Sequence, residues 1–127
     1  MEDIEQVAAD RLALCYCAGD KQKARGLAIA VIFLLLSVAK LIVTIWCLLK
    51  SADAIKRAAE AASAKVRAWI ERVLRRNLAR HNRTATSAEQ ISMTDEEIQQ
   101  AVTAILQAGA MSTPAEIAEF RKRFESE

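Results

Sequence analysis

Residues 27–49 form a continuous apolar run of 23 residues that carries one charge, Lys40. A helix of this length measures about 35 Å, and the hydrocarbon core of a bilayer is about 30 Å thick. Its fifteen Leu, Ile, Val and Phe residues contribute roughly −5 to −8 kcal/mol to membrane insertion, against about +3 kcal/mol for one lysine. The run therefore predicts a single-pass transmembrane helix. The sequence disfavours a helix buried in a bundle, because the rest of the chain offers little apolar surface to cover it.

Basic residues lie on both sides of the predicted span, with four between positions 11 and 25 and ten between positions 50 and 83. Lysine and arginine near the ends of a span decide its orientation, and acidic residues count little. We therefore expect an integral membrane protein whose C-terminal part lies on the cytoplasmic or matrix side.

The helical periodicity predicts an all-α fold. We expect an N-terminal amphipathic helix in residues 1–19 and one long helix over 20–80, in which the span continues as a basic helical rod. A polar linker follows in 81–93, and a two-helix hairpin occupies 94–127. The long helix is expected to be continuous because residues 21–80 contain no proline and a single glycine, Gly26.

Several helix boundaries have recognisable sequence signals. Two capping boxes are expected to start the hairpin helices, and an aspartate is expected to cap the long helix. The starting signals are Asp20, Thr94 with Glu97, and Thr113 with Glu116, where Pro114 takes the first helical position. The ending signals are Gly19 for the first helix and Gly109 for the first hairpin helix.

Two stripes run along the predicted long helix. The first is an apolar heptad stripe between residues 31 and 73, typical of a coiled coil. The second is small and polar, and small residues allow close helix packing in lipid. Within the span this packing face consists of Ser37, Lys40, Thr44 and Cys47.

Lys40 is the residue most indicative of a role, because an ionisable group at mid-membrane normally faces protein or water. Three interpretations remain open. The ammonium group pairs with a carboxylate in another subunit, it lines a pore made by several copies, or it snorkels to the head groups along its aliphatic stem.

The segment after the span is strongly basic, which predicts contact with anionic lipid head groups. The residues expected to make it are Lys50, Lys56, Arg57, Arg72, Arg75 and Arg76. Nucleic acid is the disfavoured partner for the same charge, because Trp69 is the single aromatic residue here and no nucleic-acid motif surrounds it.

The two hairpin helices each carry an apolar face and are too short to bury a core alone. They are expected to fold onto the rod, onto a neighbouring copy or onto another protein. The predicted docking residues are Ile98, Val102, Ile105, Ile117, Phe120 and Phe124.

Catalysis has little support in this sequence. The chain has one histidine, His81, in a basic segment, and it shows no carboxylate pair, nucleophile motif or glycine-rich phosphate loop. Neither a metal nor another cofactor is expected. Cys15 and Cys17 are expected to be small buried residues, with acylation as the alternative.

These observations predict a non-enzymatic structural subunit of a larger membrane complex, packed against other integral membrane subunits or further copies of itself. Two alternatives stay open. One is a self-assembling membrane pore or holin-like protein, and the other is a membrane-tethered adaptor that recruits a soluble partner through its C-terminal helices.

Overall fold

The computed structural model describes residues 3–48 and 64–125, with the side chains of 41–48 and 124–125 excepted. These residues form six α-helices and no strand, which confirms the all-α prediction. The helices are α1 (Ile4–Tyr16), α2 (Lys21–Arg25), α3 (Ile29–Leu48), α4 (Ala64–Thr84), α5 (Asp95–Met111) and α6 (Pro114–Glu125). Among the residues so described, none of the helices combines the length and the apolar character that crossing a membrane requires.

The turn between α1 and α2 follows the predicted signals. The N–H of Gly19 donates to the carbonyl of Leu14 at 2.9 Å, which satisfies one of the last carbonyls of α1. Ala18 precedes it in the left-handed region, with φ of 54°. The Asp20 carboxylate then accepts from two backbone N–H groups of α2, at 3.0 and 3.2 Å. Asp20 is therefore a helix cap as predicted, although the helix that it caps is the short α2 and not a long helix.

Both predicted capping boxes are present. The Thr94 hydroxyl accepts from the N–H of Glu97 at 3.1 Å, and the Glu97 carboxylate accepts from the N–H of Thr94 at 3.0 Å. Thr113 and Glu116 exchange the same pair of bonds at the start of α6. The prediction that Gly109 ends the preceding helix is wrong. Gly109 is a buried helical residue, and α5 continues past it to Met111. The helix ends just before Pro114, because the residue that precedes a proline disfavours the helical conformation.

The continuous helix predicted over residues 20–80 is not observed. Residues 26–28 separate α2 from α3, and α3 packs directly against α4. Leu35 and Ile70 lie in the same core cluster, although a straight helix would hold them about 52 Å apart. The physical reason is burial, since folding back brings the two halves of the apolar stripe together. Leu34 and Val38 of α3 and Val73 of α4 are all buried in this cluster.

The remaining helices close the bundle around α3. Helix α6 packs on α3, while α5 packs on α1, α4 and α3. The largest fully buried side chains come from five of the six helices, namely Leu12, Leu35, Val38, Ile70, Leu74, Ile98, Val102, Ile105 and Ile117. The core therefore lies between the inner side of α3 and the apolar faces of α1, α4, α5 and α6.

The predicted linker is shorter than expected, because α4 continues to Thr84. Asn82 fastens the loop that follows. Its side-chain amide donates to the carbonyl of Ile91 at 2.8 Å, and its side-chain oxygen accepts from the N–H of Ile91 at 2.9 Å. This two-point bond holds the chain in place between α4 and α5.

Candidate functional site

The outer face of α3 consists of Ile29, Ala30, Phe33, Ser37 and Lys40, on the side opposite the core. Ile29 is 69% exposed and Phe33 is 64% exposed, the two highest values among the large apolar residues described. The opposite side of the same helix is covered, with Leu35 and Val38 both at 0% exposure. An apolar helix with one covered and one uncovered side is the most distinctive surface in this part of the chain.

Ser37 and Lys40 of the predicted packing face lie on this outer face. Ser37 is half-buried, and its hydroxyl donates to the carbonyl of Leu34 at 2.8 Å, so its hydrogen bond stays within the helix. Lys40 is also half-buried. The side chains of Thr44 and Cys47 lie outside the described residues. The role of all four residues in helix packing stays a prediction.

The predicted docking residues lie inside the chain's own bundle. Ile98, Val102, Ile105, Ile117 and Phe120 are 0 to 3% exposed, and the Phe124 side chain lies outside the described residues. They pack in one cluster with residues of α1, α3 and α4. The sequence allowed these residues to fold onto the rod, onto a neighbouring copy or onto another protein. The structure has them folded onto the rod, where they contact both its apolar part, α3, and its basic part, α4.

The predicted lipid-contact residues divide into three groups. Lys50, Lys56 and Arg57 lie outside the described residues. Arg72 and Arg76 are exposed on α4. Arg75 instead joins α4 to α5, because its guanidinium lies 2.8 Å from Asp95 and 3.0 Å from Glu71. The hydrogen bonds that Arg75 donates to these two carboxylates raise its pKa, and the bond to Asp95 has the larger effect.

A polar junction between α1 and α6 was missed by the sequence argument. The Arg11 guanidinium donates to the Glu116 carboxylate at 2.7 Å and to the Ser112 hydroxyl at 3.1 Å. Arg11, followed by the Thr113 backbone, holds the pKa of Glu116 below its ordinary value of 4.5. More than 100 residues separate the two partners along the chain, so only the capping role of Glu116 had a local signal.

A second arginine, Arg67, joins α4 to α5. Its guanidinium donates to the Thr103 hydroxyl at 2.9 Å and to the Gln99 side chain at 3.4 Å. The basic segment therefore includes residues that hold the bundle together as well as residues that face solvent. The charge of a residue in this segment does not predict whether it bonds to another helix or faces solvent.

A groove of about 1030 Å³ lies between the end of α1 and the outer side of α5. Cys15, Tyr16, Gln99, Thr103 and Gln107 are among the residues that line it. Burial raises the pKa of the Cys15 thiol above 9.0, against a smaller opposing effect of Arg11. A thiol that resists deprotonation is a poor nucleophile, so the pKa of Cys15 does not favour it as a nucleophile.

Neither a group of possible metal ligands nor a similar protein points to a further site. Within residues 3–48 and 64–125, no three His, Cys, Asp or Glu side chains are grouped so that they could hold a metal ion. Comparison with protein-family models, with curated proteins and with solved structures gives no match to this chain.

Proposed function

We propose that this chain is a non-enzymatic subunit of a larger membrane assembly, and that the outer face of α3 is the surface through which it binds. The observation that supports this proposal most strongly is the exposure of Ile29 and Phe33, which are 69% and 64% exposed. Burying apolar area is worth about 25 cal/mol per Å². A bilayer or a helix of another subunit would remove this area from water.

The composition of the same face favours a neighbouring membrane helix as its partner. Ala30 and Ser37 are small, and small residues allow two helix backbones to approach closely. Lys40 adds a charge that a carboxylate on a partner helix would recognise. The apolar run over residues 27–49 supports a membrane setting for this contact. The partner is therefore another integral membrane subunit or a further copy of this chain.

The inner side of α3 is buried, so in the membrane proposal this helix has two environments, the chain's own bundle and the lipid bilayer. Leu34, Leu35 and Val38 are covered by the chain's own helices in the bundle. Contact with lipid all around α3 and contact with these helices exclude one another. The membrane proposal thus implies that the helices around α3 separate from it when it enters the bilayer.

The same burial favours a second candidate, a protein-binding module that has no membrane tether and keeps α3 within the bundle. Its supporting observation is that Ile98, Ile105, Ile117 and Phe120 shelter α3 without any second chain. In this case Ile29 and Phe33 would contact the recruited protein rather than a membrane helix.

Alkaline carbonate extraction of membranes from cells that express the chain distinguishes the two candidates. We expect the chain to stay with the sedimented membranes, because an inserted apolar helix is not released by high pH. Recovery in the supernatant would contradict the membrane proposal and support the protein-binding module.

Lys40→Leu and Phe33→Ser test the binding face within the membrane proposal. We expect either change to reduce the partner recovered with the chain in mild detergent at least tenfold, measured by mass spectrometry of the intact particle. Val66→Ser is the matched control, because Val66 is an exposed apolar residue on α4. Equal recovery for all three variants would exclude the outer face of α3 as the contact surface.

A further inference from the structure

The basic face of α4 consists of Lys65, Arg72, Arg76, Arg80 and Arg83. All five side chains are exposed. Their spacing of seven, four, four and three residues places them on one side of a helix with 3.6 residues per turn. Ile70 and Leu74, which are 1% and 0% exposed, lie on the opposite side. The basic face is therefore a straight row about 27 Å long.

This row differs from an ordinary solvated helix face in its charge pattern. Arg72 with Arg76 and Arg76 with Arg80 are pairs four residues apart, and like charges at this spacing destabilise a helix. The only acid in α4 is Glu71, which bonds to Arg75 instead of relieving the row. An arrangement that is unfavourable in water becomes favourable against a surface of negative charge.

Beside its arginine and lysine side chains, the basic face offers neither a free amide nor a free indole ring for base recognition. Both amides of α4 are engaged elsewhere, since Asn77 donates to the Val73 carbonyl at 2.9 Å and Asn82 bonds to Ile91. Ala68 and Ala79 are the neutral exposed neighbours of the row. Trp69 packs partly against the core, so its ring is not free to stack on a base. Guanidinium groups bind phosphate oxygens through paired hydrogen bonds, so a row of them between alanines fits a plane of phosphates.

We infer that the basic face of α4 binds the surface of an anionic bilayer. The apolar run over residues 27–49 of the same chain favours a bilayer over nucleic acid as the source of the phosphates. Arg67 and Arg75 are excluded from this surface, because they bond to α5. The inference does not require α3 to cross the membrane, so it stands or falls separately from the proposed function.

The test places a fluorescent label beside the row. Cys15, Cys17 and Cys47 are replaced by alanine in the full chain, and Ala79→Cys carries an environment-sensitive nitrobenzoxadiazole group. We expect its emission to rise and shift to the blue with vesicles containing 30% phosphatidylserine at 50 mM salt, and to return at 500 mM salt. Vesicles of pure phosphatidylcholine should not cause an emission change that salt reverses. This holds whether or not α3 inserts into them, because insertion does not depend on anionic lipid.

Neighbouring arginines provide the matched variants. Each basic residue near an anionic surface strengthens binding about fivefold, so R72Q/R76Q should need about 25-fold more anionic lipid, and R76Q about fivefold more. R75Q, with the same loss of charge, should stay within about twofold. Equal effects of R75Q and R76Q would overturn the assignment of the row. So would a label that does not respond to anionic vesicles, or one displaced from them by duplex RNA or DNA.

Discussion

At the scale of single residues, the most unusual backbone position is Ala18, at the end of α1. It has a φ of 54°, where a Cβ approaches the following carbonyl, and glycine is the usual residue there. The sequence places its glycine one position later, at Gly19, which also has a positive φ of 86°. The turn thus contains two consecutive left-handed residues, of which only one avoids the steric cost.

Ala18→Gly should stabilise the fold by about 1 kcal/mol, because it removes this steric cost without deleting a contact. The same exchange at Ala79, an exposed position within α4, should destabilise by about 1 kcal/mol, because glycine is a poor helix former. Chemical denaturation of both variants checks the pair. Destabilisation of similar size at both positions would mean that the backbone at Ala18 is not left-handed.

At the scale of helices, the capping signals were predictable because they are local. Thr94 and Glu97 are three residues apart and recognise each other within one turn. The end of α5 was not predictable from Gly109, because burial of that residue keeps it helical. Arg11 and Glu116 are joined only through the packing of α1 on α6, which no local pattern encodes.

The ion pair of Arg11 with Glu116 should make stability depend on pH. Since the pKa of Glu116 is lower in the folded chain than in the unfolded chain, its stabilising effect is complete well above pH 4.5. That effect is lost as the pH falls through the folded-state value. Glu116→Gln should therefore lower the free energy of unfolding by about 1 kcal/mol at pH 7. The stability of this variant should also fall less steeply below pH 4.5 than that of the unchanged protein.

Thermal unfolding between pH 3 and pH 7 measures this difference. Glu119→Gln is the control, because Glu119 lies exposed on the same helix. If both variants follow the pH dependence of the unchanged protein, Arg11 and Glu116 are not paired in solution.

At the scale of the whole molecule, the apolar stripe predicted part of the contact surfaces but not the path of the chain. Leu34, Val38 and Val73 of the stripe are buried, whereas Val66 of the same stripe is 38% exposed. A stripe along a helix is equally consistent with a straight rod beside a partner and with two helices folded onto each other. The choice depends on whether α4 packs back on α3, and no proline or glycine in the sequence between these two helices signals it.

Packing of α4 back on α3 predicts a short distance between the two helices. Spin labels at Ser37 and Ala79 should lie less than about 40 Å apart in a bundle of this size, against about 63 Å in one continuous helix. Pulsed electron paramagnetic resonance measures the separation directly. A single distribution near the longer value would show that the predicted rod is the form in solution.

The order in which the helices are made has a consequence for the fate of α3. Val38 is packed among residues that reach as far as Phe120 along the chain, 82 positions later. At a synthesis rate of 5 to 20 residues per second, those covering residues follow after about 4 to 16 s. Throughout that interval the shelter of α3 is incomplete, because α1 precedes α3 in the chain but α6 is made only at the end of the interval. Insertion machinery that acts on a nascent chain therefore competes with an incomplete fold, and the outcome is set by timing as well as by equilibrium stability.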